Sequence, residues 1–407
     1  MKYIFQDNLT EQEHDAFVTT HPLCNLLQSS KWALIKNSWM HKLVGVKNEQ
    51  GKVVAASLVL IKPLPMHFTM FYLPRGPIMD FLDRELVSFF FTELKQLAKS
   101  EHCIFIKFDA GILKNSYLLE NRTDMMLSSS LNIMKNLKDA GCIHQGFSED
   151  MSETIQPRFQ APVFYDRLFE DHLPRHTKRH IKTAHKKHVT VKRYGEEMLP
   201  AFTRLMKLTE QRKHIALRDQ NYFRLLLETY GPQDAFIYLA QIDLPFLLQD
   251  CEQRLNKLLQ EMERAAGDAK KQTSFSQSIM MVKSEMEKIR GFMKEDGEKP
   301  YIAGALSVYY GDTAELLYMG MDGKYRKYMA PYLTHLIPML DAFHRNCRLC
   351  NMGGLEGTLD GGLTKFKANF NPLIQEYLGE FDVPVNKFLY AFAHWAYRIR
   401  KLRRKHT

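Results

Sequence analysis

A row of basic residues is the clearest chemical feature of this 407-residue chain. Residues 172–193 contain eight lysines and arginines and no acidic residue. Five of them follow the spacing of three and four that lines up side chains on one helix face: Arg175, Lys178, Arg179, Lys182 and Lys186. No acid within residues 172–193 neutralises this row, which favours contact with phosphates over a merely solvated helix face.

A second basic segment ends the chain. The last ten residues contain six lysines and arginines and no acid. The two segments together carry a charge of +14, so the rest of the chain is near −4 and the net charge is +10. An aromatic, apolar stretch precedes this tail, at residues 388–397. Such a pattern is typical of an anchor on an anionic membrane, and equally of a docked terminal helix with a nucleic-acid-binding tail.

Metal and redox chemistry are not indicated by the sequence. Four histidines lie among the cations at residues 176–188, but their neighbours are cations and no carboxylate or cysteine completes a ligand set. They are His176, His180, His185 and His188. Cys347 and Cys350 follow a predicted helix, whereas a redox motif opens one and a zinc site needs a second pair. We therefore predict no metal and reduced thiols, one of this pair buried and one exposed.

The usual nucleotide and cofactor motifs are missing. The chain has no GxxxxGK[ST] loop, no GxGxxG after a strand, no HExxH and no GxSxG. It also lacks the [Q/R]-x-x-G-x-[G/A] turn that binds the pyrophosphate of acetyl-coenzyme A, so neither that donor nor another cofactor is expected. No run of about 18 apolar residues and no signal peptide is evident, which predicts a cytoplasmic protein.

The elements that must position these residues occur in a repeated order, β-β-α-β. The first copy is a predicted hairpin at 52–64 and 67–76, a helix at 83–100 and a strand at 103–109. The second is a hairpin at 301–322 that turns at Gly311 and Asp312, a helix at 330–346 and the strand that follows. This predicts an α/β protein with two Gcn5-related acyltransferase-like lobes and a ligand cleft near or between them.

Two apolar rows with alternating steps of three and four lie between these copies. The rows are Leu248, Cys251, Leu255, Leu258, Met262 and Ala265, and then Ile279, Val282, Met286, Ile289 and Met293. They predict an inserted antiparallel coiled-coil arm, which suits an elongated partner; a hairpin packed on the body and a dimerisation stalk are the alternatives. The predicted division is a first lobe at 1–165, a second lobe at 166–243 and 300–390, the arm at 244–299 and a basic tail at 391–407.

Four segments, taken in order, carry a family resemblance: LLQSSKWALIKNSW (26–39), FYLPRGPIMDF (71–81), TIQPR (154–158) and NMGGLEGTLDGGLTKFKANFNPLIQEYLGEF (351–381). The chain resembles the Fem family of transfer-RNA-dependent peptidoglycan interpeptide-bridge aminoacyltransferases, most closely the MurM/MurN branch. The resemblance implies two acyltransferase-like lobes that work without acetyl-coenzyme A. It also implies transfer of alanine or serine from aminoacyl-tRNA to an amine of the lipid II stem peptide or nascent bridge.

The resemblance further implies a reaction site. Phe366 and Lys367 match a Phe-Lys pair that lines it, where the cation can stabilise the oxyanion or hold the terminal tRNA phosphate. Asp109 matches an aspartate of the acceptor pocket that can orient or deprotonate the amine, although water or a tRNA hydroxyl are alternative bases.

A diphosphate site for the cell-wall precursor is implied at a second place. Lys36 and Arg218 match its cations, with Trp32, Trp39 and Tyr222 nearby. The spacing of Trp32, Lys36 and Trp39 predicts that they share one helix face.

The partners expected are aminoacyl-tRNA on the basic row, lipid II, and an anionic membrane surface at the inner face of the plasma membrane. A non-catalytic tRNA- or RNA-binding protein is the main alternative, but it has no need of a diphosphate pocket. An acetyltransferase for another small substrate is a third, and the missing pyrophosphate turn argues against it.

Overall fold

The computed structural model describes residues 2–395, which form two mixed β-sheets and the helices that cover them. The strands are β1 (Tyr3–Gln6), β2 (Met40–Asn48), β3 (Val53–Pro63), β4 (Thr69–Leu73), β5 (Ile78–Met79), β6 (Cys103–Phe108), β7 (Leu113–Tyr117), β8 (Ile143–His144), β9 (Phe159–Phe164), β10 (Val189–Tyr194), β11 (Ala235–Ile242), β12 (Tyr301–Tyr310), β13 (Thr313–Met321), β14 (Leu349–Leu355), β15 (Ile374–Tyr377) and β16 (Phe381–Pro384). The helices are α1 (Glu11–Thr20), α2 (Trp32–Ile35), α3 (Arg84–Ser100), α4 (Ser128–Asp139), α5 (Phe169–His172), α6 (Arg175–Lys186), α7 (Leu199–Lys213), α8 (Gln220–Tyr230), α9 (Leu244–Arg264), α10 (Ala269–Asp296), α11 (Ala330–His344) and α12 (Gly362–Lys367).

The predicted β-β-α-β order is present twice. In the first copy β3 and β4 are antiparallel, α3 follows, and β6 returns parallel to β4. In the second, β12 and β13 are antiparallel around the turn at Gly311, α11 follows, and β14 returns parallel to β13. The predicted fold class, α/β with two Gcn5-related acyltransferase-like lobes, is confirmed.

Helix α3 shows why these elements form. Asp83 caps its first turn by accepting a hydrogen bond from the Leu86 backbone N–H. Its buried side chains recur on one face, including Phe90, Phe91 and Leu94, and cover the first sheet.

The lobes exchange strands. The first sheet has the order β1-β2-β3-β4-β6-β16-β8, with β5 paired to β3, and the second has the order β10-β11-β12-β13-β14-β9-β15-β7. Strand β16 thus leaves the C-terminal half to pair with β6, while β7 and β9 leave the N-terminal half to join the second sheet. The predicted boundary at residue 165 therefore does not separate the sheets, because these short strands pair with partners distant in sequence.

A shared hydrophobic core holds the lobes together. Leu58 and Leu60 of the first sheet pack in one cluster with Phe202 of α7 and with Leu306 and Val308 of the second sheet. We call this cluster the interlobe core. The two sheets therefore do not meet as separable domains, and polar residues at the edge of this core occupy a fixed geometry.

The two helices predicted between the lobes are α9 and α10. Ion pairs from Arg254 to Glu285 and from Arg290 to Glu252 show that the helices run antiparallel. Their apolar rows face each other, with Cys251, Val282 and Ile289 buried in a cluster that continues into the second lobe. Within residues 2–395, no helix is both long and apolar enough to cross a bilayer.

The cysteines are reduced and inaccessible. Cys347 and Cys350 are both buried, so the prediction that one of them is exposed is wrong. Cys350 lies on β14, whose side chains at this end are covered on both faces by neighbouring elements.

Candidate active site between the lobes

A rigid turn after β4 lies at the centre of the site. The Gln28 side-chain amide donates to the Pro74 carbonyl (2.6 Å), and the Arg75 backbone N–H donates to Asp109 (2.6 Å). A Cβ at Gly76 would lie 2.5 Å from the Gln28 amide, so only glycine fits there. The turn is therefore held from two sides, and it fixes the position of the Arg75 side chain.

Asp109 is a buried carboxylate with both oxygens occupied. One accepts from the Arg75 N–H and the other from the Tyr72 hydroxyl (2.7 Å). Burial raises the pKa of Asp109, and the Arg75 charge opposes that rise. These contacts anchor the turn; the role of Asp109 as a base stays a prediction.

The Arg75 guanidinium joins three of the four segments that carry the family resemblance. It donates to the Pro157 carbonyl (2.6 Å) and stacks over the Tyr377 ring at 4.6 Å. Gly354 approaches the same proline so closely that a Cβ there would lie 2.5 Å from its ring. Arg75 was not among the predicted site residues. Its position in the segment FYLPRGPIMDF, which carries part of the family resemblance, could have indicated it.

Lys367 ends the short helix α12 and is only 4% exposed. Its Nζ donates to the Gly354 carbonyl (2.7 Å). Burial lowers the pKa of Lys367 to about 8, while the charges of Glu356 and Glu315 oppose this decrease. A lysine that titrates near neutral pH can act as an ammonium and can also release a proton.

Phe366 lies beside Lys367 in sequence but serves a different contact. Its half-buried ring packs edge-on against His335 (4.8 Å between centroids) and near Tyr332 (5.5 Å) on α11. Burial lowers the pKa of His335 to about 4, so this imidazole is neutral at physiological pH. Phe366 therefore fixes α12 against α11, and its role in the reaction site stays a prediction.

Glu315 is a buried acid near the start of β13, directly opposite Asn351 of β14. The Asn351 amide donates to Glu315 Oε2 (2.9 Å) and to the Gln160 side chain (3.0 Å). Burial raises the pKa of Glu315 to about 8, against the charges of Arg75 and Lys367. The sequence analysis missed Glu315, although a single acid within an otherwise apolar strand was a signal for it.

A cavity of about 800 Å³, which we call the interlobe cavity, borders these residues. Gly111 and Ser116 line it from one side, and Glu315, Asn351 and Tyr377 from the other. Leu82 and Leu127 also line it and are exposed, so the cavity is largely apolar with a few polar groups, Glu315 and Asn351 among them. A cavity of this kind suits a ligand with a polar reacting group.

Lys36 and Arg218 form a cation pair at the other end of the site. Burial, and secondarily the Arg218 charge, lower the pKa of Lys36. Lys36 lies 5.7 Å from the centre of the Trp32 ring, and Arg218 lies 5.1 Å from the Tyr222 ring. Within residues 2–395 neither cation has an ion-paired carboxylate, so their mutual repulsion favours a bound anion.

The expectation that Trp32, Lys36 and Trp39 share a helix face is wrong. Helix α2 ends at Ile35, and Lys36 closes it with its backbone N–H. The chain then turns into β2, which is paired to β3 from its first residue and cannot continue the helix. Trp32 is buried under Lys36, whereas Trp39 lies under Lys62 at 5.5 Å.

Strand β13 connects the two ends of the site. Tyr222 packs against Tyr318 with 6.0 Å between ring centroids. Tyr318 and Glu315 pair with Leu306 and Val308, which both lie in the interlobe core, so the two side chains project to the same side of the sheet. The cation pair and Lys367 therefore flank one face of one strand.

The predicted basic row forms α6, and all five of its cations are exposed. None of the five makes an ion pair with any residue in the described range 2–395. Helix α6 contacts the FKANF segment directly, because the Thr177 hydroxyl donates to the Asn369 carbonyl (2.7 Å). His180 also packs on Tyr332 (4.7 Å), which in turn touches Phe366.

The chain after β16 continues into a helical segment at residues 387–395. Phe388, Phe392 and Trp395 recur on one side of it and are 91%, 61% and 59% exposed. The six cations of the basic tail lie outside the described residues.

Comparison with known proteins identifies a family and a solved structure that match both the fold and the four segments. A model of the FemAB family matches residues 9–398, and the chain belongs to this family. It is 28% identical over 407 residues to the lipid II:glycine glycyltransferase of Staphylococcus aureus strain bovine RF122 / ET3-1, covering 94% of this chain and 93% of that protein. The protein of the same name from strain MSSA476 gives the same figures. Among solved structures, the crystal structure of FemX superimposes with a TM-score of 0.77 and 27% identity, over 96% of this chain and 99% of that one.

Proposed function

We propose that the protein transfers an amino acid, alanine or serine, from aminoacyl-tRNA to an amine of the lipid II stem peptide or nascent bridge. It thereby builds the interpeptide cross-bridge of peptidoglycan. One observation carries the proposal: four segments spread over the chain meet at one buried site between the lobes. Gln28, Arg75, Pro157, Gly354 and Lys367, one or more from each segment, are linked there by direct contacts.

The cation pair of Lys36 and Arg218 supports lipid II as the acceptor substrate. The diphosphate of a lipid-linked precursor needs fixed cations from more than one direction, and an arginine fork with a lysine provides them. Lys36 comes from α2's C-terminus and Arg218 from the segment before α8, so the two approach from different elements. Trp32 and Tyr222 hold the two side chains in place.

The basic helix α6 supports aminoacyl-tRNA as the donor substrate. Five exposed, unpaired cations provide the electrostatic surface that an RNA backbone requires. Because Thr177 of this helix is hydrogen bonded to Asn369, the surface lies next to the segment that carries Lys367. An RNA held on α6 would thus have its end close to the reaction site.

The chemistry needs little beyond positioning and charge. A neutral amine attacks the ester carbonyl of the aminoacyl-tRNA and forms an amide, so no nucleophile of the protein is required. The Lys367 ammonium, fixed by its bond to Gly354, can stabilise the oxyanion of the tetrahedral intermediate. No residue described here is required to hold a metal or a cofactor for this reaction.

A reconstituted reaction tests the function and the donor. Purified protein, lipid II and radiolabelled alanyl-, seryl- or glycyl-tRNA are mixed, and label transferred to the lipid is counted. The resemblance to the MurM/MurN branch supports alanine or serine, and glycine is the amino acid named for the staphylococcal relatives. Transfer only from glycyl-tRNA would refute the donor proposed. Binding of tRNA without transfer from any donor would favour the non-catalytic RNA-binding alternative.

A peripheral position at the inner face of the plasma membrane forms part of the proposal, since lipid II is held in a membrane. The exposed aromatic side chains of residues 388–395, followed by the basic tail, support it. Deletion of residues 398–407 should weaken binding to vesicles that contain anionic lipid. Equal binding by the full and shortened chains would leave the tail to tRNA.

A further inference from the structure

Resting on the function proposed above, we propose that Glu315 receives the reacting primary amine inside the interlobe cavity and removes its proton. Glu315 lies on β13, between the cation pair and Lys367, and lines the cavity. An acceptor amine that enters this cavity meets the Glu315 carboxyl group in its wall.

The hydrogen bonds of Glu315 leave room for a ligand. Within residues 2–395 its side chain accepts a single hydrogen bond, from the Asn351 amide to Oε2 (2.9 Å). Asn351 is held in turn by Gln160 and by the Gly353 N–H, so the carboxyl group is fixed in orientation. The second oxygen, Oε1, remains for an N–H donor in the cavity.

Asp109 offers no such oxygen. Both of its oxygens already accept hydrogen bonds, from Tyr72 and from Arg75, and the residue is 1% exposed. An amine could reach it only after one of these bonds broke and the turn moved. Compared with Asp109, Glu315 is thus the carboxyl group that can accept a proton without rearrangement.

The charges around Glu315 suit a base that works near neutral pH. Arg75 from the turn after β4 and Lys367 from α12 favour its ionised form, while burial opposes it and raises its pKa to about 8. The other titratable groups that face it are Tyr377 on β15, Cys350 on β14 and Cys24 before α2, all neutral at this pH. A base whose pKa lies close to the working pH combines availability with proton affinity.

The protons balance within the site. The amine nitrogen forms a bond to the ester carbonyl carbon and gives its proton to Glu315 Oε1. The bond from that carbon to the ribose oxygen breaks, and the ribose oxygen takes a proton from the Lys367 ammonium. Once the products leave, the proton passes from Glu315 to Lys367, which restores both groups.

Glu315→Gln tests the proposal, because glutamine keeps the shape and the bond from Asn351 but cannot take a proton. We expect kcat to fall about 100-fold with KM for lipid II little changed. Wild-type kcat should rise with pH up to about 8 as Glu315 ionises, and this rising limb should be lost in the variant. Glu315→Asp, which retains a carboxyl group, should recover part of the rate and the limb.

Glu376→Gln is the matched control. Glu376 is a buried acid on β15 of the same sheet, paired with Lys114 at 2.9 Å and outside the cavity lining. This variant should lower the melting temperature but keep the pH limb. If Glu315→Gln has a lowered melting temperature, the pH profile of Glu315→Asp distinguishes the two roles. A purely structural role of Glu315 would leave the rising limb of kcat against pH unchanged in that variant.

Three outcomes would overturn the inference. The first is a kcat of Glu315→Gln equal to that of the wild type, and the second is an unchanged pH profile in that variant. The third is loss of the rising limb of kcat in Asp109→Asn and not in Glu315→Gln. By contrast, absence of transfer by the wild-type protein from every aminoacyl-tRNA would refute the proposed function itself.

Discussion

Two buried carboxyl groups, one beside each parallel strand pair, show how similar elements are used differently in the two lobes. Asp109 follows β6, next to β4, and Glu315 lies on β13, next to β14. Asp109 accepts two hydrogen bonds and holds a turn, whereas Glu315 accepts one and faces a cavity.

The difference lies in what compensates for burial. Burial raises the pKa of both groups, but two donors stabilise the charge of Asp109, one of them a backbone N–H. Glu315 receives one neutral amide and depends on the more distant charges of Arg75 and Lys367. A saturated carboxylate stabilises the fold, while an unsaturated one is available to a ligand.

The largest effect is expected from Lys367, whose charge acts on Glu315 and is not among the influences on Asp109. Lys367→Ala should lower kcat by about 100- to 1,000-fold, because in the proposed mechanism it removes the fixed charge that stabilises the oxyanion. The loss of stability should be smaller than the loss of transition-state stabilisation, about 1–3 kcal/mol, because one buried carbonyl, that of Gly354, loses its donor. Lys365→Ala, an exposed lysine on the same helix, is the control and should keep full activity. Unchanged turnover in Lys367→Ala would remove this lysine from the mechanism.

A smaller effect is expected at the cation pair, which touches neither carboxyl group. Lys36→Met and Arg218→Met should each raise KM for lipid II by about tenfold or more, the equivalent of one charge-assisted hydrogen bond. The kcat at saturation should be nearly unchanged, because binding and not chemistry is affected. Lys31→Met serves as the control, since Lys31 lies against Tyr230. A loss in kcat without a change in KM would contradict the diphosphate role.

The two carboxyl groups should differ in their effect on stability. Asp109→Asn should lower the free energy of unfolding by about 1–3 kcal/mol, because it weakens a buried charge-assisted pair of hydrogen bonds. In the folded protein Glu315 has a pKa near 8 instead of its usual value of 4.5. The folded state therefore holds a proton that the unfolded state releases between these values, so this residue makes the wild type less stable as pH rises.

The Glu315→Gln variant lacks this term and should gain stability relative to the wild type between pH 5 and pH 8. Urea unfolding at the two pH values measures both effects. Equal behaviour of Asp109→Asn and Glu315→Gln at both pH values would erase the distinction between the two groups.

The smallest effect is expected on α6, because its five exposed cations share the contact with tRNA in the proposed complex. Lys182→Gln should weaken tRNA binding a few-fold and reduce the slope of log affinity against log salt by about one. Lys283→Gln on α10 is the control, because it removes an equally exposed charge elsewhere. A salt slope that is unchanged in Lys182→Gln and reduced in Lys283→Gln would move the tRNA surface to the helix pair.

The local pattern of apolar and polar residues was sufficient to predict the helices and strands that bury one face. The periodicity of α3 and the turn at Gly311 predicted the two β-β-α-β units, and the apolar rows predicted α9 and α10. The residues of the site came from the resemblance instead. The structure brings Lys36, Arg218 and Tyr222 together, and it joins α6 to the segment of Lys367.

Pairing over long distances could not be read from the sequence. Strands β7, β9, β15 and β16 have four to six residues each, too few to carry a register signal. Arg75 and Glu315 are distinguished by contacts with residues distant in sequence, Pro157 for Arg75 and Asn351 for Glu315. Burial and partners, which a single sequence does not specify, are what distinguish Glu315 from Asp109.

The strand exchange also sets an order of events during synthesis. The first sheet is incomplete until β16, at residues 381–384, leaves the ribosome and inserts between β6 and β8. Until then Phe108 lacks its stacking partner Phe381, and the edges of β6 and β8 remain open to wrong pairing. A nascent chain should thus acquire its reaction site only after nearly all of it has been translated, and neither half expressed alone should yield a complete sheet.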